Sequence, residues 1–557
     1  MSLNSHNPPW HLMSARDVVE SLKLGEVTPL KLIDVVEERL KKTDGVLHTT
    51  PITCFDRARK AAHNLNHPKS PKPGYLYGLP ILIKDCVEVS GVRYTEGSPL
   101  HRDYIPLFSD PIVLQLEKMG GIVVGKTNVP EFCAGSHSFN TLFETTTSPY
   151  DVRTSAGGSS GGSAAALAGT QIWLATGSDL GGSLRIPAAF CGVVGFRCTP
   201  GRIPRKLPDP ESSLESMQPY YLHTVSGPLA RGVQDLALFL DAMTSEKSIN
   251  GRAVAGWQGY PIPPPLPSPT EKDHPGHWQA VARRAVVQPR HLRIGFSTLG
   301  LQFSNDVIDI CRDAANMLAN TMCKRPPNCA SSASFDISID SNTEVIELEA
   351  PFDLSVAERC FYIIRAASFQ KRFTAYSAEE ISTMKPEIQW NIACHQIAAD
   401  SDGVLANVIK EAKNLFNNVN EELFTQKIDI LVTPATLDAS FDQKYRYPIQ
   451  NFGDLKTGDT FENYLEWMLP SCLISATSCP ALVLPTGKLE DGRPVGVQLV
   501  GKWGSDATVL EAGAALESQL QLEMHHGLDI PLCGSGHLLA SGPTTLEEAA
   551  MHHKEAT

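Results

Sequence analysis

The 557-residue sequence has no CxxC pair among its 13 cysteines. An odd number of scattered thiols does not make a disulfide framework, and without ligand spacing it makes no zinc site. Reduced, mostly buried cysteines and no metal are the expectation. The chain also lacks any apolar run near the roughly 18 residues that a membrane span needs. Its start, "MSLNSHNPPWHLM", has neither the basic flank nor the apolar segment of a secretory leader. A cytoplasmic protein with no membrane span is therefore expected. Basic residues are in deficit, 48 Lys and Arg against 61 Asp and Glu, for a formal charge of −13. A surface built to coat nucleic acid or an anionic membrane needs the opposite balance, so no nucleic-acid partner is expected. Internal repeats and coiled-coil heptads are missing too.

What the chain does have is core material, with 42% apolar and 20% charged residues. Residues 14–42 read as two helices, the second capped by Thr28 with Pro29 at its first position and Leu32, Val35, Val36 and Leu40 recurring on one face. They suggest an N-terminal helical cover over residues 1–75, laid on a core that runs from 76 to 529. "ILIKD" and "GGIVVGKTN" read as buried strands, as do "LRIGFS", "DILVTPA" and "PALVLPTG" further on. "FENYLEWMLPSCLISATS" reads as a helix leading into the last of these, with Trp467 and Met468 assigned to the core by periodicity. Between 246 and 290 the composition turns to proline and polar residues, which suits a surface insertion. The stretch 530–557 reads as a loosely held tail.

Two glycine/serine turns stand close together, "SAGGSSGGSAAALA" from Ser155 and "SDLGGSLRIP" from Ser178, and three devices compete for them and their neighbours. Gly120 to Thr127 spells G-x-x-x-x-G-K-[ST], but Ile122, Val123 and Val124 form a strand where a phosphate cradle needs open backbone. Pro130 then falls where the following helix would start. Gly157 to Gly161 spells a nucleophile elbow around Ser159, yet the preceding "TTTSPYDVRTSA" offers no buried apolar strand, and no histidine stands out as its base.

The third device uses both turns. A serine nucleophile must give up its proton, and a lysine serves as base when burial disfavours its ammonium form. Lys84 ends an apolar run that would bury it, while Asp85 beside it should face the other way, since successive strand residues alternate. Backbone N–H groups aimed at a developing oxyanion supply the remaining need. Leu180, Gly181, Gly182 and Ser183 are suited to it because the glycines leave the approach open. Ser159 would relay a proton between Lys84 and Ser183.

With "GGSSGGSAAALA" at 157–168 and "GSDLGGSLRIPAAFCGVVGFRCTPGRIP" at 177–204, the chain resembles the amidase signature family of serine hydrolases. "GKTNVPEF" at 125–132 and "PVGVQLVG" at 494–501 extend the resemblance over most of the chain. It implies Lys84 as base, Ser159 as a relay serine with a cis peptide bond, and Ser183 as nucleophile, separated by 75 and 24 residues. It further implies a single α/β/α domain with a mixed central β-sheet and no cofactor. Phe132, Cys133, Ala134, Gly135 and Gly158 become candidate substrate contacts. Asp179 and Arg185 are expected to brace the oxyanion turn by hydrogen bonds and charge pairing. The implied activity is hydrolysis of a small-molecule amide, ester or carbamate through an acyl-enzyme, often in a homodimer. One component of a transamidation complex on tRNA, or a non-catalytic binding protein on the same fold, are the competing readings. Leu180, where many members carry Thr or Ile, and the 246–290 insertion are departures that bear on specificity.

Overall fold

The apolar strand "PILIK" is buried at every position as β2 (Pro80–Lys84), and it pairs in parallel with β3 (Ile122–Thr127) on one side and β6 (Leu174–Asp179) on the other. A strand buried on both faces reads as a continuous apolar run rather than an alternating one. The computed structural model describes residues 9–204, 222, 224–244, 277–322, 345–399, 403–448, 461 and 463–520. Within them, eleven strands form one mixed sheet flanked by helices, in the order β1 (Ile52–Thr53), β3, β2, β6, β8 (Val225–Ala230), β7 (Val194–Arg197), β12 (Ala481–Lys488), β13 (Pro494–Gly501), β11 (Ile430–Pro434), β9 (Ile294–Phe296) and β10 (Ile346–Glu347). The expected α/β domain with a mixed central sheet is what forms.

One outer part of this sheet comes from the first third of the chain and the other from residues 294–434, with the last two strands in sequence lying inside the sheet. β1 (Ile52–Thr53) runs antiparallel to β3 at one edge. The small hairpin of β4 (Thr147–Ser148) and β5 (Asp151–Ser155) stands outside the main sheet. β7 (Val194–Arg197) and β8 (Val225–Ala230) pair with each other and join β6 to the late strands. β9 (Ile294–Phe296), β10 (Ile346–Glu347), β11 (Ile430–Pro434), β12 (Ala481–Lys488) and β13 (Pro494–Gly501) complete the sheet. The junction is antiparallel, with Ala481 opposite Arg197 on β7.

At the N-terminus, helix Pro29–Leu47 starts as its sequence requires, with Thr28 Oγ1 accepting the Lys31 N–H and Leu32, Val36 and Leu40 buried. The 1–75 segment is not only a helical cover, because β1 belongs to the sheet. The 246–290 stretch also needs correction. His277–Val287 is a helix with Trp278 fully buried, its indole N–H donating to Thr244 Oγ1 at 3.0 Å and its backbone N–H to Asp241 at 2.9 Å. The helical period of "HWQAVARRAVV" follows directly on the proline-rich run, so a composition window merges the two. Residues 246–276 and the 530–557 tail lie outside the described residues. The late helix is shorter than expected: a turn at Glu466–Met468 leads into Leu469–Ala476, and Pro470 takes a first-turn position where its missing N–H costs nothing.

Candidate active site

Lys84 is the last residue of β2, fully buried, with its own N–H donating to Thr176 Oγ1 of β6 at 3.0 Å. Its ammonium donates to Ser159 Oγ at 2.7 Å and to Ser178 Oγ at 2.9 Å. Asp85 does face away: its carboxylate meets Lys126 at 2.6 Å and accepts the Thr95 hydroxyl and N–H. Lys126 is thus a buried ion-pair partner on β3 and no phosphate ligand. Ser178 is an addition to the expected set, although Thr176 and Ser178 stand two apart on β6 and so present their hydroxyls to the same face.

Ser159 follows a cis Gly158–Ser159 peptide in the turn between β5 and helix Gly161–Ala168. The glycines there are required by close backbone approach. A Cβ at Gly157, where φ is +73°, would sit 2.9 Å from Pro187 Cα, and one at Gly158 would sit 2.9 Å from the backbone of Ser136 and His137. His137 does not serve Ser159: it reaches Ser155 Oγ at 2.7 Å and the Gln443 carbonyl at 3.0 Å. The Ser160 N–H donates to the Ser183 carbonyl at 3.2 Å and ties the two turns together.

Ser183 lies between β6 and helix Arg185–Phe190, 8% exposed. Asp179 braces this turn, with its carboxylate accepting the N–H groups of Gly182 and Leu184, both at 3.0 Å. Burial works to raise the Asp179 pKa, but the guanidinium groups of Arg185 and Arg197 outweigh it and hold the carboxyl well below the usual range. Arg185 is fully buried and donates to both Asp179 oxygens (3.0 and 2.9 Å), the Ser471 carbonyl (3.0 Å), Gln498 Oε1 (2.5 Å) and Ser475 Oγ (2.6 Å). Both residues hold the turn by hydrogen bonds and charge pairing. One member of the expected oxyanion set is corrected here. The Gly182 N–H is taken by Asp179, which leaves Leu180, Gly181 and Ser183 as the candidate donors.

The expected substrate contacts divide. Phe132 and Ala134, 1% and 0% exposed, are enclosed in a second apolar cluster with Phe369, Phe373, Met384 and Ile388. Cys133 between them is half-buried. Gly135, at φ +96°, faces Lys385 and Tyr464. Trp467 and Met468 are core residues, 3% exposed each, with Trp467 stacked on Phe190. Sequence reasoning misses Arg365 on helix Leu354–Phe373, which is 4% exposed and whose guanidinium donates to Tyr464 Oη at 2.8 Å, with no carboxylate partner among the described residues. Phe361, one turn earlier, packs where a Cβ of Gly181 would be, at 2.8 Å. Among the described residues no helix is long and apolar enough to cross a membrane.

The sequence profile of the family described as Amidase matches residues 32–510. The glutamyl-tRNA(Gln) amidotransferase A subunit from Anaeromyxobacter dehalogenans is 30% identical over 504 residues, covering 89% of this chain and 93% of that one. Two solved structures share the fold at 20% identity. A bacterial aryl acylamidase of the amidase signature family has a TM-score of 0.73, covering 94% of this chain and 99% of the other. A 6-aminohexanoate cyclic dimer hydrolase has a TM-score of 0.70, covering 92% and 98%.

Proposed function

The chain belongs to the amidase family, and from that premise we propose that it breaks an amide C–N bond through an acyl-enzyme on Ser183. The observation that carries this reading is the surroundings of Lys84. Its buried Nζ bonds two serine hydroxyls, Ser159 and Ser178, while the adjacent carboxylate of Asp85 is engaged by Lys126. In the neutral form Lys84 takes the proton of Ser159, which takes that of Ser183, and the freed oxygen attacks the substrate carbonyl. The N–H groups of Leu180, Gly181 and Ser183 stabilise the oxyanion, in a turn held rigid by Asp179 and Arg185. The relay then returns a proton to the departing amine, and water releases the acid. Esters and carbamates are open to the same chemistry. Arg365 supports a substrate that carries an acceptor oxygen, since a buried guanidinium with no counter-charge among the described residues gains most from one.

The experiment is reaction of the purified chain with a fluorophosphonate, followed by peptide mapping. Label on Ser183 that disappears in Lys84→Ala supports the mechanism, and label on Ser159 alone overturns it. A second reading, in which the chain is the amidase component of a transamidation assembly, is favoured by its likeness to amidotransferase A subunits over 89% of its length. The two separate on size-exclusion chromatography coupled to an assay on free amides. An independent enzyme turns them over alone, and a component of an assembly does so poorly until its partners are added.

A further inference from the structure

Where helix Leu354–Phe373 meets the start of helix Pro386–Ala399, three cations, Arg365, Lys385 and Arg446, share two carboxylates. Glu387 takes Arg446 at 2.6 Å and lies 3.9 Å from Lys385. Glu131 accepts the Lys385 backbone N–H and the Ser98 hydroxyl, both at 2.8 Å. Neither carboxylate reaches Arg365. Burial pushes the Lys385 amine down to about 8, and the charges of Arg446 and Arg365 add to that effect against those of Glu387 and Glu131.

Arg365 is held in place yet underused. Its guanidinium carbon lies 4.4 Å from the centre of the Phe369 ring, one turn further along the helix, and Nη2 donates to Tyr464 Oη at 2.8 Å. Its Nε is enclosed with no partner among the described residues. Tyr464 has the same shortage. Its oxygen also accepts from Asn391 Nδ2 at 2.6 Å, so it is filled as an acceptor, while its own hydrogen meets no acceptor among the described residues. Asn391 cannot turn its amide to take that hydrogen without giving up the 2.5 Å bond from Nδ2 to the Glu387 carbonyl. The pair therefore offers donors and no acceptor, at a depth where an unpaired charge is costly. It also stands beside both catalytic turns. Phe361, one turn before Arg365, is the residue that a Cβ of Gly181 would meet. The Tyr464 ring lies 3.7 Å from a Cβ placed on Gly135, and the next residue, Ser136, packs on Gly158 ahead of Ser159.

We propose that Arg365 and Tyr464 form a subsite for a carboxylate on the substrate, so that the amides this chain cleaves are anionic; the inference rests on the proposed function. A carboxylate brings two oxygens that only accept, which matches the spare N–H groups and the spare O–H, and its charge supplies what Arg365 lacks. Phe369 and Tyr464 fix the guanidinium before the substrate arrives, so little ordering is lost on binding. A neutral amide leaves the guanidinium uncompensated and gains none of this.

The test compares two pairs of substrates on the full-length protein. Succinic acid mono-4-nitroanilide against butyric acid 4-nitroanilide places the charge on the acyl part, and 4-butyramidobenzoate against butyranilide places it on the amine part. In at least one pair kcat/KM for the charged member is expected to be higher by about tenfold or more. Arg365→Met should remove that preference by raising KM for the charged substrate alone, Arg365→Lys should keep part of it, and Tyr464→Phe should lower it without abolishing it. Arg365→Met should also melt no lower than the parent, because it removes a buried charge that has no carboxylate. An arginine that only braces the fold would slow all four substrates alike. That uniform loss, equal or better turnover of the neutral member in both pairs, or a preference that survives Arg365→Met would each overturn the proposal. If no substrate is turned over, the catalytic reading fails, and calorimetric titration of Ser183→Ala with the two charged amides decides the subsite. Binding that disappears when Arg365→Met is added keeps the proposal, and binding that is absent or indifferent to Arg365 overturns it.

Discussion

Replacing Arg185 by lysine keeps the buried positive charge but changes its geometry. The guanidinium makes five hydrogen bonds in one plane, two of them to Asp179. An ammonium has three donors, so at least two of these buried, charge-assisted bonds are lost. With about 1.5–3 kcal/mol for a hydrogen bond to a charged group, the loss is about 3–6 kcal/mol, large against the ~5–15 kcal/mol that holds a typical domain. The protein should remain folded at low temperature with a clearly lower urea midpoint, followed by circular dichroism and tryptophan fluorescence together. Asp179, released from one side, no longer fixes the Gly182 and Leu184 N–H groups, so labelling of Ser183 should slow at least tenfold. Gln498→Met serves as the control, since it removes the 2.5 Å bond to Nη1 and the long 3.4 Å bond from Gln498 Nε2 to the Pro470 carbonyl but leaves the Asp179 fork intact; its effect should be under half as large. Arg185→Lys stability within about 1 kcal/mol of the parent, together with undiminished labelling, would refute the claim that this fork holds the nucleophile's turn.

Lys84→Met and Ser183→Ala should each lower amide turnover by roughly 10²-fold or more with an unchanged circular dichroism spectrum; turnover within tenfold of the parent counts against the relay. Gly162→Ala, ordinarily a gain of about 1 kcal/mol inside a helix, should reverse sign and cost several times that. Its Cβ would meet the Asn128 nitrogen at 2.4 Å and the Thr49 oxygen at 2.6 Å, both backbone atoms. His137 is neutral in the fold, its pKa pushed down to about 4, chiefly by burial, from 6.5. Below pH 6.5 the unfolded chain takes up a proton that the folded chain refuses. The stability carried by the neutral ring is therefore complete above pH 6.5 and is lost as pH falls to 4, about 3 kcal/mol in all. His137→Gln should flatten the acid limb of a urea-midpoint profile in that window, and an unchanged slope would remove His137 as its cause.

Lys84 and the two serine turns are legible in the sequence because strand alternation and glycine spacing leave local marks. The apolar run buries Lys84, alternation sends Asp85 to the other face, and Asp179 and Arg185 lie close enough in sequence to be read as a pair. Ser178 escapes such a reading because a serine at a strand end looks like any other until the neighbouring strand is placed; only its spacing from Thr176 hints at a shared face. Gly182 as a free donor is a natural reading of a glycine turn, but Asp179 three residues before it has its own claim on that N–H. Position in the motif assigns Phe132 and Ala134 to the pocket, whereas their burial depends on aromatic partners more than 230 residues later, such as Phe373. Helix His277–Val287 is hidden by its neighbours' composition, not by its own pattern. Arg365 carries no sequence signal at all, since its lack of a carboxylate partner among the described residues is a property of packing.

The acceptors of Arg185 have a consequence for how the protein is made. Ser471 and Gln498 follow it in the chain by 286 and 313 residues. At a translation rate of about 5–20 residues per second, roughly 15–60 s pass between the synthesis of the Ser183 turn and that of the groups that brace it. During that interval the nascent chain carries Lys84, Ser159 and Ser183 without their support. The Ser183 turn therefore lacks these two acceptors until the last strands arrive, and a chain released early keeps it so.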